Sequence, residues 1–160
     1  MGPSALSLLR VAPQRDRQGR PSGETPWWHS NGHSGLATIL VIEDEVLIRL
    51  AVSDYLRDVG YRVIEGSTAE EAQRVFRSGE PVEVLFTDVD LGPGLDGFAL
   101  AKWVRQHFPQ VRIMLASGHA KAGEQAPDVS LGPLFRKPYS YAALETHIRQ
   151  LADLFDTRTG

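Results

Sequence analysis

The chain has 160 residues, no cysteine and a net charge of −3, and 42% of its residues are hydrophobic. The absence of cysteine excludes disulfides and thiolate metal sites. No apolar stretch approaches the roughly 20 residues that a membrane-spanning helix requires. The first 37 residues carry four arginines against Asp16 and Glu24, which leaves about −5 for the rest. So acidic a domain is not expected to bind nucleic acid directly, because such binding needs a basic surface.

The length suits one domain with a tail. Residues 1–35 are rich in Gly, Pro, Ser, Arg and Gln and show no sustained helical or strand period, which predicts a disordered N-terminal tail. The folded domain is predicted to span residues 36–155. Residues 156–160 are predicted to form a short C-terminal tail.

Five short apolar runs in this domain predict buried parallel strands. In chain order they contain Ile39, Tyr61, Val84, Val111 and Leu134. The segments between them have helical spacing of apolar residues. Strands that alternate with helices predict right-handed crossovers and an α/β fold with a doubly wound parallel sheet.

The predicted helices have recognisable ends and faces. Apolar residues of the first helix recur at helical spacing before Gly60, which ends it; they are Ile48, Ala51, Val52, Tyr55 and Val59. Ser67 and Glu70 have the spacing of a capping box, which predicts that a second helix begins there and continues to about Ser78. A third helix is predicted from Asp96–Gly97 to Pro109, and the last helix has a predicted buried stripe at Leu144, Ile148, Leu151 and Phe155.

Polar residues follow four of the apolar runs directly. They are Glu43–Asp44, Asp88, Ser117 and Lys137. Parallel α/β sheets place their ligand sites at the carboxyl ends of the strands. The pattern therefore predicts three carboxylates, one hydroxyl and one ammonium group at a single edge of the sheet, a set that suits a divalent cation and a phosphoryl group.

This order of motifs resembles the receiver domain of bacterial two-component response regulators. The resemblance covers about Leu36 to Phe155. It implies a flavodoxin-like fold with a five-stranded sheet in the order 2-1-3-4-5. It also implies a phosphoprotein that takes part in phosphorelay signal transduction and catalyses only its own aspartyl phosphorylation and dephosphorylation, rather than an enzyme with turnover.

The resemblance assigns a role to each of these polar residues. Asp88 matches the phosphoacceptor, whose carboxylate attacks the phosphoryl group. Ser117 and Lys137 match the residues that contact the phosphoryl oxygens. The family's Mg2+ ligands match the side chains of Glu43, Asp44 and Asp88 and the backbone carbonyl of Asp90, oxygen donors of the kind that Mg2+ prefers.

Two positions depart from the family pattern, and two others match positions that modify the family's chemistry. Glu43 stands where the family most often has aspartate. Leu134 stands where the family usually has an aromatic switch residue, and strand alternation places the neighbouring Phe135 on the opposite face. Asp90 and His119 match positions that tune phosphate lifetime.

The segment between Ser117 and Leu131 is broken by Gly118, Gly123 and Pro127. This predicts a short or mobile helix there. Because Leu134 lacks the large ring of the usual switch, we expect this segment to carry most of the conformational change on phosphorylation.

The expected function is that of a cytoplasmic single-domain response regulator, a monomer or weak homodimer. Its phosphoryl donor would be a sensor histidine kinase or a phosphotransfer protein, and it would signal by protein contact without an output domain, a membrane or nucleic acid. One alternative is a haloacid-dehalogenase-like phosphohydrolase, whose nucleophile motif Asp88 and Asp90 imitate. The other is a pseudo-receiver adaptor that acts without phosphorylation.

Overall fold

The structure, a computed structural model, describes residues 36–118 and 130–156. The predictions for the tail at residues 1–35, for His119, for the segment 119–129 and for residues 157–160 lie outside the described residues. Nine elements follow one another in the described ranges: β1 (Leu36–Ile42), α1 (Val46–Asp58), β2 (Tyr61–Gly66), α2 (Ala69–Arg77), β3 (Val84–Asp88), α3 (Gly97–His107), β4 (Arg112–Ser117), β5 (Leu134–Arg136) and α4 (Tyr141–Asp156).

All five strands are parallel and form one sheet in the order β2-β1-β3-β4-β5. This confirms the predicted order. Ile42 pairs with Thr87, and Asp88 pairs with Ala116. The strand order reverses at β1 and β3, and α/β sheets bind ligands at the carboxyl edge of such a reversal.

The sheet is covered on both faces, which explains why its central strands have apolar residues facing both ways. Leu40 and Ile42 of β1 pack with α2 and α3, whereas Ile39 and Val41 pack with α1 and α4. Leu144 and Ile148 of α4 are fully buried, as the predicted stripe requires. No helix within the described ranges is long and apolar enough to cross a membrane.

The N-terminus of α2 begins one residue later than predicted. Thr68, not Ser67, is the N-cap: its Oγ1 accepts a hydrogen bond of 3.1 Å from the Glu71 N–H. Glu71 in turn accepts a 2.6 Å bond from the Ser67 N–H, and this bond lowers the pKa of the Glu71 carboxyl. The later start places Ala69, which follows Thr68, in the core.

The buried face of α1 also differs from the prediction at two apolar positions, Ala51 and Leu56. Val52 and Leu56 are fully buried, and Ala51 is exposed. The larger side chains fill the space above the sheet, because burying them removes far more apolar surface from water than burying alanine.

Candidate functional site

The turn after β1 presents two carboxylates in different environments. Glu43 is 4% exposed, whereas Asp44 is open to solvent. The Glu43 N–H donates 3.1 Å to the carbonyl of Gly66, so this residue continues the pairing of β1 with β2. Its Oε1 accepts a 3.1 Å bond from the Glu45 N–H. The Glu43 backbone is therefore fixed by β2, and its carboxylate is fixed by the N–H of Glu45.

Asp88 is the last residue of β3 and is 6% exposed. Its Oδ1 accepts a 3.2 Å hydrogen bond from the Asp90 N–H. The first residue of α3, Gly97, lies directly against its carbonyl, because a Cβ at Gly97 would come within 2.0 Å of the Asp88 carbonyl oxygen. Only glycine permits this approach of α3 to the end of β3.

Lys137 joins the two buried carboxylates. Its Nζ donates 2.7 Å to Glu43 Oε2 and 2.8 Å to Asp88 Oδ2. Its backbone N–H donates 2.9 Å to the carbonyl of Ser117, which positions the residue after β5 beside the end of β4. One ammonium group thus lies between two carboxylates, with Asp44 alongside, so the cluster carries excess negative charge when all of its groups are ionised.

Burial and hydrogen bonding together set the protonation of this cluster. Burial raises the pKa of Glu43 to about 7, and the negative charge of Asp88 adds to this effect, while bonds from Lys137 and Glu45 offset part of it. Burial alone would lower the pKa of Lys137, but its hydrogen bonds to Asp88 and Glu43 outweigh burial and raise it. Lys137 therefore stays an ammonium group, and Glu43 titrates near neutral pH.

The three carboxylates fit a divalent cation. One oxygen each from Glu43, Asp44 and Asp88 lies within 4.8 Å of the others. Hard oxygen donors at this spacing suit Mg2+, which keeps several waters and so needs few protein ligands. The loop after β3 passes beside this group, because a Cβ on Gly92, whose φ is +73°, would lie 3.7 Å from Asp44 Oδ2. The role of the Asp90 carbonyl as a ligand stays a prediction.

The remaining predicted residues lie around the same edge. Ser117 ends β4, is buried, and follows Ala116, the register partner of Asp88. Leu134 packs on the α2–α3 side of the sheet and Phe135 on the α1–α4 side, which confirms the predicted alternation. The phosphate contact of Ser117 and the switch role of Leu134 stay predictions.

Two residues near the site were missed from the sequence. Arg49 of α1 donates a 2.7 Å bond from Nη1 to the carbonyl of Glu43. Tyr139 packs edge to face on Phe86, which is two residues before Asp88, at a ring distance of 5.6 Å. Burial, followed by the charge of Glu43, raises the pKa of Tyr139. A signal for Arg49 existed, since a cation near a helix N-terminus opposes the helix dipole.

Comparisons with known proteins agree with this geometry. Residues 39–149 match the family model of the response regulator receiver domain. The sensor kinase CckA of Brucella abortus (strain 2308) is 31% identical over 127 residues, which cover 77% of this chain and 13% of that protein. The probable transcriptional regulator ycf27 of Pyropia yezoensis is 35% identical over 126 residues, covering 76% of this chain and 51% of that protein.

A solved structure gives the same result. The response regulator receiver domain protein from Clostridium thermocellum superposes with a TM-score of 0.69 at 25% identity, over 76% of this chain and 98% of that one. The chain spans about half the length of the ycf27 relative and a small part of the sensor kinase. With the acidic cluster, the bridging lysine and the 2-1-3-4-5 sheet all in place, the chain belongs to the response regulator receiver domain family.

Proposed function

We propose that the chain accepts a phosphoryl group on Asp88 from a sensor histidine kinase or a phosphotransfer protein in the cytoplasm, and then signals by protein contact. The observation that carries this proposal is the bridge of Lys137 between Glu43 and Asp88 beside Asp44. Family membership and the sheet order favour a receiver over a haloacid-dehalogenase-like phosphohydrolase.

In the proposed reaction, an Asp88 carboxylate oxygen forms a bond to phosphorus while the bond from phosphorus to the donor imidazole nitrogen breaks. The electron pair of that bond stays with the imidazole. Charge in the transition state spreads over the three equatorial oxygens, so the site contributes mainly position and positive charge.

Five side chains would contribute position or positive charge to this reaction, directly or by holding Mg2+. Lys137 supplies a compact ammonium group within 2.8 Å of Asp88 Oδ2, close to where the phosphoryl oxygens would lie. Ser117, at the end of the neighbouring strand, would donate its hydroxyl to another oxygen. Glu43, Asp44 and Asp88 would hold Mg2+, which when bound supplies further positive charge to the phosphoryl oxygens.

The direct test compares Asp88→Asn with Asp90→Asn. Both variants remove one carboxylate, but Asp90 is exposed on the loop whereas Asp88 is buried at the strand end. Each protein is incubated with radiolabelled acetyl phosphate and Mg2+, and base-labile label is counted. We expect Asp88→Asn to abolish labelling and Asp90→Asn to retain it.

Equal labelling of wild type and Asp88→Asn would contradict the proposal. A wild-type protein that takes no label from acetyl phosphate or from phosphorylated kinases, yet binds a kinase, would favour the pseudo-receiver alternative. Circular dichroism of each variant shows whether the fold is retained.

A further inference from the structure

We propose that Arg49 is a positioning residue that holds the Glu43–Asp44 turn in the geometry that binds Mg2+. The inference rests on the proposed function, because it concerns the same metal site. Arg49 lies outside the carboxylate cluster and would act on the metal only through the backbone of Glu43.

Arg49 contacts both the turn itself and the neighbouring strand β2. Nη1 donates 2.7 Å to the carbonyl of Glu43, and Nε lies 3.6 Å from Glu65 Oε2 on β2. The Arg49 side chain is mostly buried, with 17% of it exposed. Since the Glu43 N–H already bonds to Gly66 of β2, Arg49 fixes the other end of the same residue.

The position of Arg49 in its helix is unfavourable without these partners. It is the fourth residue of α1, whose first turn carries no acidic residue and whose N-cap, Glu45, makes no side-chain capping bond. A cation there faces the positive end of the helix dipole. An unfavourable residue choice beside a functional site indicates a role that compensates for it. For Arg49, the hydrogen bond to the Glu43 carbonyl is that compensating role.

Arg57 provides a matched comparison within the same helix. Its Nη2 lies 2.6 Å from the other oxygen of Glu65, so it also ties α1 to β2. Arg57 also donates hydrogen bonds to Asp54 and to the carbonyl of Val63, and neither residue belongs to the carboxylate cluster. If Arg49 served only to attach α1 to β2, substitution of either arginine would affect Mg2+ binding only through the stability of the fold.

The experiment compares Arg49→Met with Arg57→Met. Methionine keeps much of the apolar stem and removes the donors. MgCl2 is titrated into each metal-free protein, and binding is measured by calorimetry while the melting temperature is recorded in parallel. We expect Arg49→Met to weaken Mg2+ binding on the order of tenfold, as loss of a group that orients a metal ligand does. Arg57→Met should keep the wild-type affinity, and it should lose less thermal stability, because Arg57 is 43% exposed against 17% for Arg49.

Two further variants keep the test decisive if Arg49→Met unfolds. Arg49→Lys retains the charge but cannot reach Glu43 and Glu65 with separate donors, so it should bind Mg2+ with intermediate affinity. Glu65→Gln removes the ion pair to both arginines and should weaken Mg2+ binding less than Arg49→Met does.

The outcomes separate this inference from the proposed function. Wild-type Mg2+ affinity in Arg49→Met, or in Arg49→Lys if Arg49→Met unfolds, would overturn the positioning role and leave the receiver chemistry standing. Equal loss of affinity in the Arg49 and Arg57 variants would also overturn it, because both would then act through stability alone. A wild-type protein that binds no Mg2+ would overturn the metal site and this inference together.

Discussion

Each end of the sheet buries a glutamate, and within the described residues only the carboxyl end groups it with two further carboxylates and a lysine. Glu43 lies at the carboxyl edge and Glu83 at the amino edge, and both are less than a tenth exposed. Burial is the largest cause of a raised pKa in each. Glu83 accepts a bond from the N–H of Thr38, close to the irregularity in the pairing of β1 with β2. The role of Glu83 is thus to accept the hydrogen bond of the Thr38 N–H at this end of the strands.

Glu43 differs in its neighbours. It shares Lys137 with Asp88 and lies beside the exposed Asp44. A perturbed buried carboxylate is therefore not enough to identify a functional site. The carboxyl edge is distinguished by several carboxylates around one ammonium group, at the point where the strand order reverses.

Among substitutions that distinguish the two ends of the sheet, Lys137→Met should have the largest effect. It leaves Glu43 and Asp88 buried without their shared cation, so phosphorylation of Asp88 should be lost. Removing one partner of a buried ion pair costs on the order of 3 kcal/mol of unfolding free energy. Urea denaturation should show a smaller loss at about pH 6, where Glu43 is protonated, than at about pH 8. Unchanged labelling by acetyl phosphate would contradict the role of Lys137.

Mg2+ binding should depend on pH through Glu43. Its folded-state pKa of about 7 lies above the ordinary 4.5, so the metal-free protein loses stability as pH rises between these values. Since Mg2+ needs the ionised carboxylate, its affinity should fall about tenfold for each pH unit below that pKa. The rise in melting temperature with Mg2+ should thus be greater at about pH 8 than at about pH 6.

Two variants sharpen this prediction. Glu43→Gln should remove the pH dependence, and Asp44→Ala should remove most of the Mg2+ stabilisation, because each deletes one of the three carboxylates. If Mg2+ raised the melting temperature of Asp44→Ala as much as that of the wild type, the metal would bind elsewhere.

Glu83→Gln, at the amino edge of the sheet, should have the smallest effect on stability, Mg2+ binding and phosphorylation. The raised pKa of Glu83 means that its ionised form opposes folding above the ordinary carboxyl pKa. The neutral amide can still accept the Thr38 bond through its oxygen, so stability near pH 8 should stay equal or rise slightly, and its dependence on pH should weaken. Mg2+ affinity and labelling should match wild type. A loss of either would show that the two ends of the sheet are coupled.

The sequence was sufficient for the sheet order only through the resemblance to receiver domains, whereas the cluster follows from polar residues at the carboxyl ends of parallel strands. It was insufficient for the start of α2, since Ser67–Glu70 and Thr68–Glu71 have the same capping spacing and are shifted by only one residue. Only packing of Ala69 against the core separates them. Arg49 was missed because its bond to Glu43 depends on how α1 lies against β2, which periodicity does not determine.

The central claim is that Asp88 carries the phosphoryl group, and the most direct test is to locate that group. After reaction with acetyl phosphate and Mg2+, reduction with borohydride converts an aspartyl phosphate to homoserine, and mass spectrometry of the peptides finds the modified position. We predict homoserine at position 88 and at no other acidic residue. Modification at Asp44 or Asp90 with Asp88 intact would contradict the account.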